Sequence, residues 1–138
     1  MKDKYFNLAK EASHFSDFHG NSHLGCVFIY KNKPISATWN TMKTNPLQKE
    51  YNKYRNFENI NDVNNGAVHA EMASIIKTKY LDVDWSKVEV FVYREHKDGT
   101  YSMARPCEAC MKALYDRGIK DIYYTTSNGF AYERIEQR

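Results

Sequence analysis

The first forty residues change from a helical to a strand-like spacing of hydrophobic positions. Apolar residues recur at helical spacing in the opening segment, at Tyr5, Leu8, Ala9 and Ala12. The polar stretch 16–23 ends this helix, and residues 24–30 are almost continuously apolar. After the turn residues 32–34, residues 35–40 alternate apolar and polar side chains, which is typical of a strand. The pattern therefore predicts a helix that covers a β-hairpin.

Residues 41–66 have no strand pattern and are rich in asparagine. A connection of this length inside a compact domain is usually either functional or disordered. One part of it favours a short helix, because residues 45–48 combine a capping asparagine, a proline suited to the first helical position and a glutamine at the third. Leu47, Tyr51 and Tyr54 would then share one face of that helix.

The second half of the chain predicts two further helices. Val68, Met72, Ile75 and Ile76 recur at helical spacing, so His69 is expected in or just before the first turn of one helix. Another helix is predicted from Pro106 to a C-terminal glycine, Gly118. Cys107 and Cys110 would both lie in its first turn. Both motif-bearing segments are thus expected at helix N-termini.

Strands alternate with these helices. Residues 88–93 predict a buried strand, and residues 119–126 predict the next one. A hairpin turn signal at 127–129 precedes the apolar residues 130–132. The last two strands are therefore expected to be antiparallel.

Composition narrows the class of protein. A chain of 138 residues fits one domain, 1–138, and its 42% hydrophobic content with 14% aromatics is enough for one core. Twenty basic and 17 acidic residues leave a net charge of +3, which is too balanced to indicate a polyanion-binding surface. The segment 1–5 lacks the apolar region of a signal peptide, and no run approaches the roughly 18 apolar residues of a membrane span. We therefore expect a cytoplasmic protein with no membrane partner.

The candidate chemistry is concentrated in two motifs, His69-Ala70-Glu71 and Pro106-Cys107-Glu108-Ala109-Cys110. They supply three zinc-type ligands and one spare carboxylate. A catalytic zinc has three protein ligands and leaves its fourth position to water, whereas a structural zinc is closed by four protein ligands. The third cysteine, Cys26, lies in the apolar run 24–29 and is expected to be a small buried hydrophobe. The motifs predict a hydrolytic zinc site.

In this order, the His-x-Glu and Pro-Cys-x-x-Cys motifs resemble the signature of the cytidine deaminase superfamily, and in particular phage and bacterial deoxycytidylate deaminase-like proteins. The predicted order of helix, two strands, helix, strand, helix and strand also resembles the family core over nearly all of the chain. The resemblance implies an α/β, three-layer cytidine deaminase-like fold, with a mixed central sheet of about five strands flanked by helices.

The resemblance also implies roles for individual residues. His69, Cys107 and Cys110 would bind Zn²⁺. Glu71 would move protons beside the metal without binding it. The alternative for Glu71 is a carboxylate that merely favours a helix N-terminus. The backbone at Ala70 would help to hold the carbonyl oxygen of the base.

Substrate contacts are implied less directly. Asn40 ends the second strand, where similar family members often place an asparagine that hydrogen-bonds the sugar or base; the alternative is a turn-favouring residue that closes the strand. Residues 43–48 resemble Lys-Thr-His-Pro-type substrate loops, with Asn45 where histidine is expected. Lys43 in this loop and Lys49 directly after it are expected to contact a substrate phosphate.

The sequence thus favours a zinc hydrolase that deaminates cytosine in a small-molecule nucleoside or nucleotide. A polynucleotide deaminase acting on cytidine or adenosine in single-stranded DNA or RNA is the first alternative, because aromatic and basic residues interleave at 49–57. The excess of only one positive charge in residues 41–66 favours a closed pocket instead. A non-catalytic, zinc-stabilised nucleotide-binding module is the alternative of another class, and Glu71 counts against it. The sequence is also compatible with a homo-oligomer.

Overall fold

One five-stranded sheet organises the computed structural model, which describes residues 2–16, 22–41, 45–51, 69–96 and 98–135. The helices are α1 (Asp3–Ser13), α2 (Pro46–Tyr51), α3 (Ala70–Lys77) and α4 (Glu108–Arg117). The strands are β1 (Ser22–Tyr30), β2 (Lys33–Trp39), β3 (Glu89–His96), β4 (Asp121–Thr126) and β5 (Gly129–Arg134). A 3₁₀ turn, Trp85–Lys87, precedes β3.

The sheet is mixed, with strand order β2-β1-β3-β4-β5. The pair β3–β4 is parallel, as the crossover through α4 requires, and the other neighbours are antiparallel. The mixed five-stranded sheet, its flanking helices and the antiparallel β4–β5 pair confirm the predicted fold class.

The hairpin between β1 and β2 turns one residue earlier than predicted. Lys31 and Asn32 have positive φ values of 52° and 65°, which is the geometry of a two-residue type I′ turn. Lys33 already pairs with Tyr30, and Pro34 lies within β2. Proline is tolerated there because β2 is an edge strand and the pairing register shifts beside it. The predicted turn at 32–34 was therefore wrong.

Helix α1 covers one face of the sheet. The buried residues on this face are apolar or aromatic: Tyr5, Phe6, Ala9, Val27, Ile29, Phe91 and Tyr93. Gly25 on β1 permits the close approach, because a Cβ atom there would lie 1.9 Å from the backbone oxygen of Ala9. The predicted covering helix is confirmed.

Helices α3 and α4 cover the opposite face, where alternate residues of the same strands point. The buried cluster includes Phe28, Met72, Ile75, Val90, Val92, Met111, Leu114 and Ile122. Helix α4 ends as predicted at Gly118, whose φ of 100° is the left-handed conformation that glycine adopts readily. This helical layer positions both motifs.

Strand β3 is longer than the predicted 88–93, and the chain then doubles back. The returning segment enters the gap between the ends of β3 and β4, because Ser102 N donates to Arg94 O (3.0 Å) and Ala104 N donates to Thr125 O (2.8 Å). This segment leads directly into the Pro-Cys-x-x-Cys motif. None of the helices in the described ranges has the length and apolar character that a membrane crossing requires.

Candidate functional site

The His-x-Glu motif lies at the start of α3. His69 is the N-cap residue, with extended backbone angles (φ −76°, ψ 157°), and its carbonyl oxygen accepts the first helical hydrogen bond from Ala73 N at 2.9 Å. Glu71 falls in the first turn and is only 2% exposed. The apolar residues Met72 and Ile75 anchor α3 to the core. The motif is therefore held at a fixed helix terminus.

The Pro-Cys-x-x-Cys motif begins α4 in the same way. Cys107 is the N-cap residue (φ −67°, ψ 168°), and its carbonyl accepts from Met111 N at 2.8 Å. Cys110 is buried one turn into the helix. The prediction placed Cys107 inside the first turn, whereas α4 begins one residue later, at Glu108. The N-termini of both helices direct their positive dipole ends toward the motifs.

The two motifs meet across the helical layer. His69 Nδ1 lies 3.6 Å from Cys107 Sγ and 3.5 Å from Cys110 Sγ. The three ligand atoms lie within 4.8 Å of one another, and no other such group occurs in the described parts of the chain. Zinc bonded tetrahedrally at about 2.3 Å to sulfur and about 2.1 Å to nitrogen would separate N and S by about 3.6 Å. The spacing and donor set fit zinc.

The two thiols have unequal proton affinities. The pKa of Cys107 is lowered to about 4, chiefly by a hydrogen bond with Cys110 and also by His69, while burial opposes the change. The same hydrogen bond, together with burial, raises the pKa of Cys110 well above its usual value. A metal bound to both sulfurs would hold them as thiolates, because cysteine ligates metals in its deprotonated form.

Glu71 is a buried carboxyl group beside this set. Burial is the largest cause that raises its pKa from the usual 4.5 to about 7; Cys107 also raises it, and His69 and Arg94 lower it. Its Oε1 atom is buried and has no hydrogen-bond partner among the described residues. A buried acceptor is normally paired. The unsatisfied oxygen suits a group that acts on a substrate or water.

Cys26 is fully buried on β1, and burial raises the pKa of its thiol well above the usual value. The interpretation as a small buried hydrophobe agrees with this position. Cys26 is not part of the three-residue ligand group.

The residues assigned to substrate are placed less uniformly. Asn40 is 5% exposed, and its Oδ1 accepts from Leu24 N at 3.0 Å and from Ser16 Oγ. That oxygen joins β1, the end of β2 and the segment that follows α1. Lys43 lies outside the described residues, as do residues 52–68. Lys49 lies on α2.

Asn45 has a structural role that explains its position. Its Oδ1 accepts from Leu47 N at 2.9 Å, so it caps α2 as the sequence predicted. Tyr51, at the other end of α2, donates to Asp116 Oδ2 on α4 at 2.8 Å. The first contact caps α2, and the second docks it on α4.

Sequence reasoning missed the side chains that brace the first motif. Gln48 is fully buried, and its Oε1 accepts from the backbone N–H of His69 at 3.0 Å. Thr38 Oγ1 donates to the carbonyl oxygen of Ala70 at 2.7 Å and lies 2.6 Å from Ser74 Oγ. The capping pattern at 45–48 drew attention to Gln48, but only as a local cap.

The approach to the second motif was missed as well. Arg105 forms a bidentate pair with Glu133 on β5, with Nε–Oε1 and Nη2–Oε2 distances of 2.8 and 2.9 Å. Arg105 stands two residues before Cys107, so the pair fixes the entry to α4. The dipeptide Asp98-Gly99 is a hairpin signal in the sequence, and it could have predicted that the chain turns back after β3.

A sequence model of the family described as "Cytidine and deoxycytidylate deaminase zinc-binding region" matches residues 1–126. The chain therefore belongs to the cytidine and deoxycytidylate deaminase family. Membership places it among deaminases of nucleosides and nucleotides. No curated protein sequence matches it.

Solved structures show the same fold. A cytidine deaminase from Burkholderia pseudomallei matches with a TM-score of 0.70 at 12% identity, over 98% of this chain and 93% of that one. The apo dCMP deaminase of cyanophage S-TIM5 matches with a TM-score of 0.59 at 21% identity, over 91% and 82% of the two chains. The complex of that phage enzyme with dCMP and dUMP matches with a TM-score of 0.57 at 18% identity, over 91% and 80%.

Proposed function

We propose that this chain, as a single domain, is a zinc-dependent hydrolytic deaminase that converts a cytosine base in a nucleoside or nucleotide, such as dCMP, to uracil. The observation that carries the proposal is the grouping of His69 Nδ1, Cys107 Sγ and Cys110 Sγ beside the buried, unpaired Oε1 of Glu71. A structural zinc site would need a fourth protein ligand and no such carboxyl group.

His69, Cys107 and Cys110 would hold the metal. Zinc in such a site lowers the pKa of bound water from about 15.7 to about 7 and so supplies a nucleophile at neutral pH. The dipoles of α3 and α4 favour negative charge at the ligand set.

Glu71 would carry the protons. Hydrolysis forms a C4–O bond on the base and breaks the C4–N bond, so that cytosine and water become uracil and ammonia. Glu71 would take a proton from water, transfer it to the ring nitrogen N3, and deliver a proton to the leaving amine. Its burial beside the ligand set supports this role, because a desolvated carboxyl group is suited to both accept and donate protons.

Substrate would be held around the same helix terminus. The backbone at Ala70 would hold the carbonyl oxygen of the base, and Asn40 would hydrogen-bond the sugar or base. Lys43 and Lys49 would contact a phosphate. Two relatives of the fold are a cytidine deaminase and a dCMP deaminase, and the latter was solved with dCMP and dUMP, which supports a pyrimidine nucleoside or nucleotide here.

Ammonia release from cytidine, deoxycytidine, dCMP, the matching adenine and guanine nucleotides and a single-stranded oligonucleotide tests the proposal. We expect turnover of the free cytosine nucleoside or nucleotide with weak dependence on salt. Faster turnover of the oligonucleotide, with binding that falls by a log–log slope of about −0.7 for each neutralised phosphate, would establish the polynucleotide alternative instead. No turnover of any substrate by zinc-loaded protein would refute the deaminase.

The phosphate contacts have a separate test. The double variant Lys43→Ala/Lys49→Ala should weaken binding of dCMP more than binding of deoxycytidine, because only dCMP carries a phosphate. Deoxycytidine serves as the matched control. Equal losses for the two substrates would show that neither lysine contacts the phosphate.

A further inference from the structure

The short helix α2 touches both helices that carry the proposed metal ligands. Tyr51 OH donates to Asp116 Oδ2 on α4 at 2.8 Å, and Gln48 Oε1 accepts from His69 N, at the start of α3, at 3.0 Å. Leu47 and Tyr51 also pack against the main core cluster. Six residues of helix are not stable alone, so these contacts hold α2 in place.

The N–H group of His69 needs an acceptor from outside α3. As the N-cap residue, His69 lies before the helical hydrogen-bond ladder, so no carbonyl of its own helix can accept from it. Gln48 supplies that acceptor from a residue 21 positions earlier in the chain. Its side chain is fully buried, and a buried amide is costly to place unless it is hydrogen-bonded. A mere space-filling role would be met by an apolar side chain of the same size.

We infer that Gln48 is a positioning residue for the metal ligand His69. Its amide oxygen holds the His69 peptide so that Nδ1 faces Cys107 Sγ and Cys110 Sγ at 3.6 and 3.5 Å. The second brace acts two peptide units further along, where Thr38 Oγ1 donates to Ala70 O at 2.7 Å. Groups that orient metal ligands typically change metal affinity by about 10–100-fold when removed. The inference rests on the zinc site of the proposed function.

Zinc release from the full-length, zinc-loaded chain into excess chromogenic chelator tests the inference without an activity measurement. Gln48→Met keeps the length of the side chain and removes the acceptor, so release should be about 10–100-fold faster. Gln48→Glu keeps an acceptor oxygen at the same reach and should release zinc more slowly than Gln48→Met, although its buried carboxyl group is costlier than the amide. Unchanged release from folded Gln48→Met would overturn the inference.

Tyr51→Phe is the matched control, because it loosens the other end of α2 without touching the His69 peptide. We expect its release rate to stay at the wild-type value. If Tyr51→Phe released zinc as fast as Gln48→Met, the effect of Gln48 would come from the docking of α2 in general and not from its contact with His69. If Gln48→Met does not fold, Gln48→Asn, one methylene shorter, takes its place, and the inference then requires faster release from Gln48→Asn than from Gln48→Glu.

Turnover separates this inference from the proposed function. A wild-type chain that binds zinc but deaminates nothing would refute the function and leave the role of Gln48 standing. If the wild-type enzyme is fully active and the Gln48 variants release zinc at the wild-type rate, only the inference is refuted. A chain that binds no zinc at all would overturn both.

Discussion

The two faces of the sheet bury different kinds of side chain. Under α1, Phe91 packs its ring 5.2 Å from the rings of Tyr5 and Phe6 and 4.6 Å from that of Tyr123. Ser13 is the fully buried polar residue of α1. Under α3 and α4 the core is also largely apolar, but it contains a larger set of buried hydroxyl, amide and carboxyl groups: Ser36, Thr38, Gln48, Glu71 and Ser74.

This difference separates stability from geometry. Apolar burial is non-directional and stabilises the fold roughly in proportion to the area removed from water. Buried polar groups cost free energy unless they are paired, and their hydrogen bonds have direction. Thr38 and Gln48 form such directional hydrogen bonds with the backbone of Ala70 and His69, at the helix terminus that bears the motif. Apolar substitutions on the α1 face should therefore change the free energy of unfolding and leave metal binding and turnover unchanged, whereas substitutions of the polar groups under α3 and α4 should change metal binding and turnover.

The largest expected effect is that of metal removal. The chain should contain one tightly bound zinc. Treatment with a chelator should abolish deamination, because the metal would be the group that activates water at neutral pH. Elemental analysis and ammonia release before and after chelation measure this, with zinc added back as the control. Less than half a zinc per chain, or a fourth protein ligand at the metal, would contradict the prediction.

Glu71→Gln should lower kcat by about 10²–10⁴-fold, since general acid–base groups contribute on this scale. Zinc content should be unchanged. Above pH 7 the thermal stability of the variant should be equal or higher, because burial raises the pKa of Glu71 to about 7 and so disfavours the carboxylate that the wild type then carries. The checks are steady-state kinetics, metal content and thermal unfolding of both proteins. Full activity in this variant would exclude Glu71 from the proton transfers.

On the α1 face, Phe91→Ala should reduce the free energy of unfolding by about 3–5 kcal/mol, because it removes a fully buried ring. Urea denaturation measures the loss, and Phe91→Leu is the milder variant if the alanine protein does not fold. Tyr80→Ala, at a residue 88% exposed, is the control and should change stability by less than about 0.5 kcal/mol. Folded Phe91→Leu should keep the wild-type kcat; a selective loss of turnover would break the division between the faces.

Gly25→Ala should cost about 1–3 kcal/mol or more, because the new Cβ would lie 1.9 Å from Ala9 O and 2.7 Å from Ser13 N, and both are backbone atoms. Gly99→Ala is the comparison, since a Cβ there meets nothing within 4 Å and the cost comes only from its φ of +87°. Urea denaturation of the two variants should rank Gly25→Ala as the less stable. The reverse order would show that α1 does not pack as closely as described.

The smallest effect is expected on the polar brace. Thr38→Val removes the hydrogen bonds to Ala70 O and Ser74 Oγ and should cost about 1 kcal/mol, whereas Thr38→Ser keeps the hydroxyl and should cost less. Because the Ala70 peptide would also loosen, kcat should fall in Thr38→Val and recover in Thr38→Ser. Equal kcat values in the two variants would show that the Thr38 hydroxyl does not position the motif.

Local patterns in the sequence were sufficient for much of this protein. Periodicity predicted α1, the β1–β2 hairpin, α4 with its glycine end at Gly118, and the antiparallel β4–β5 pair. The two motifs also indicated which side chains would meet, and His69, Cys107 and Cys110 do come together. These features depend on residues within a few positions of each other, or on a set of donor groups that is typical of a zinc site.

Only the tertiary structure decided how the site is held. Gln48 reaches His69 from α2, Thr38 reaches Ala70 from β2, and Glu133 on β5 pairs with Arg105 ahead of the second motif. Each of these contacts joins residues at least 21 positions apart. Such pairs are set by which elements pack together and in what register, and no local spacing of residue types records that. The sequence thus indicated which groups would carry the proposed chemistry, and the packing determined their orientation.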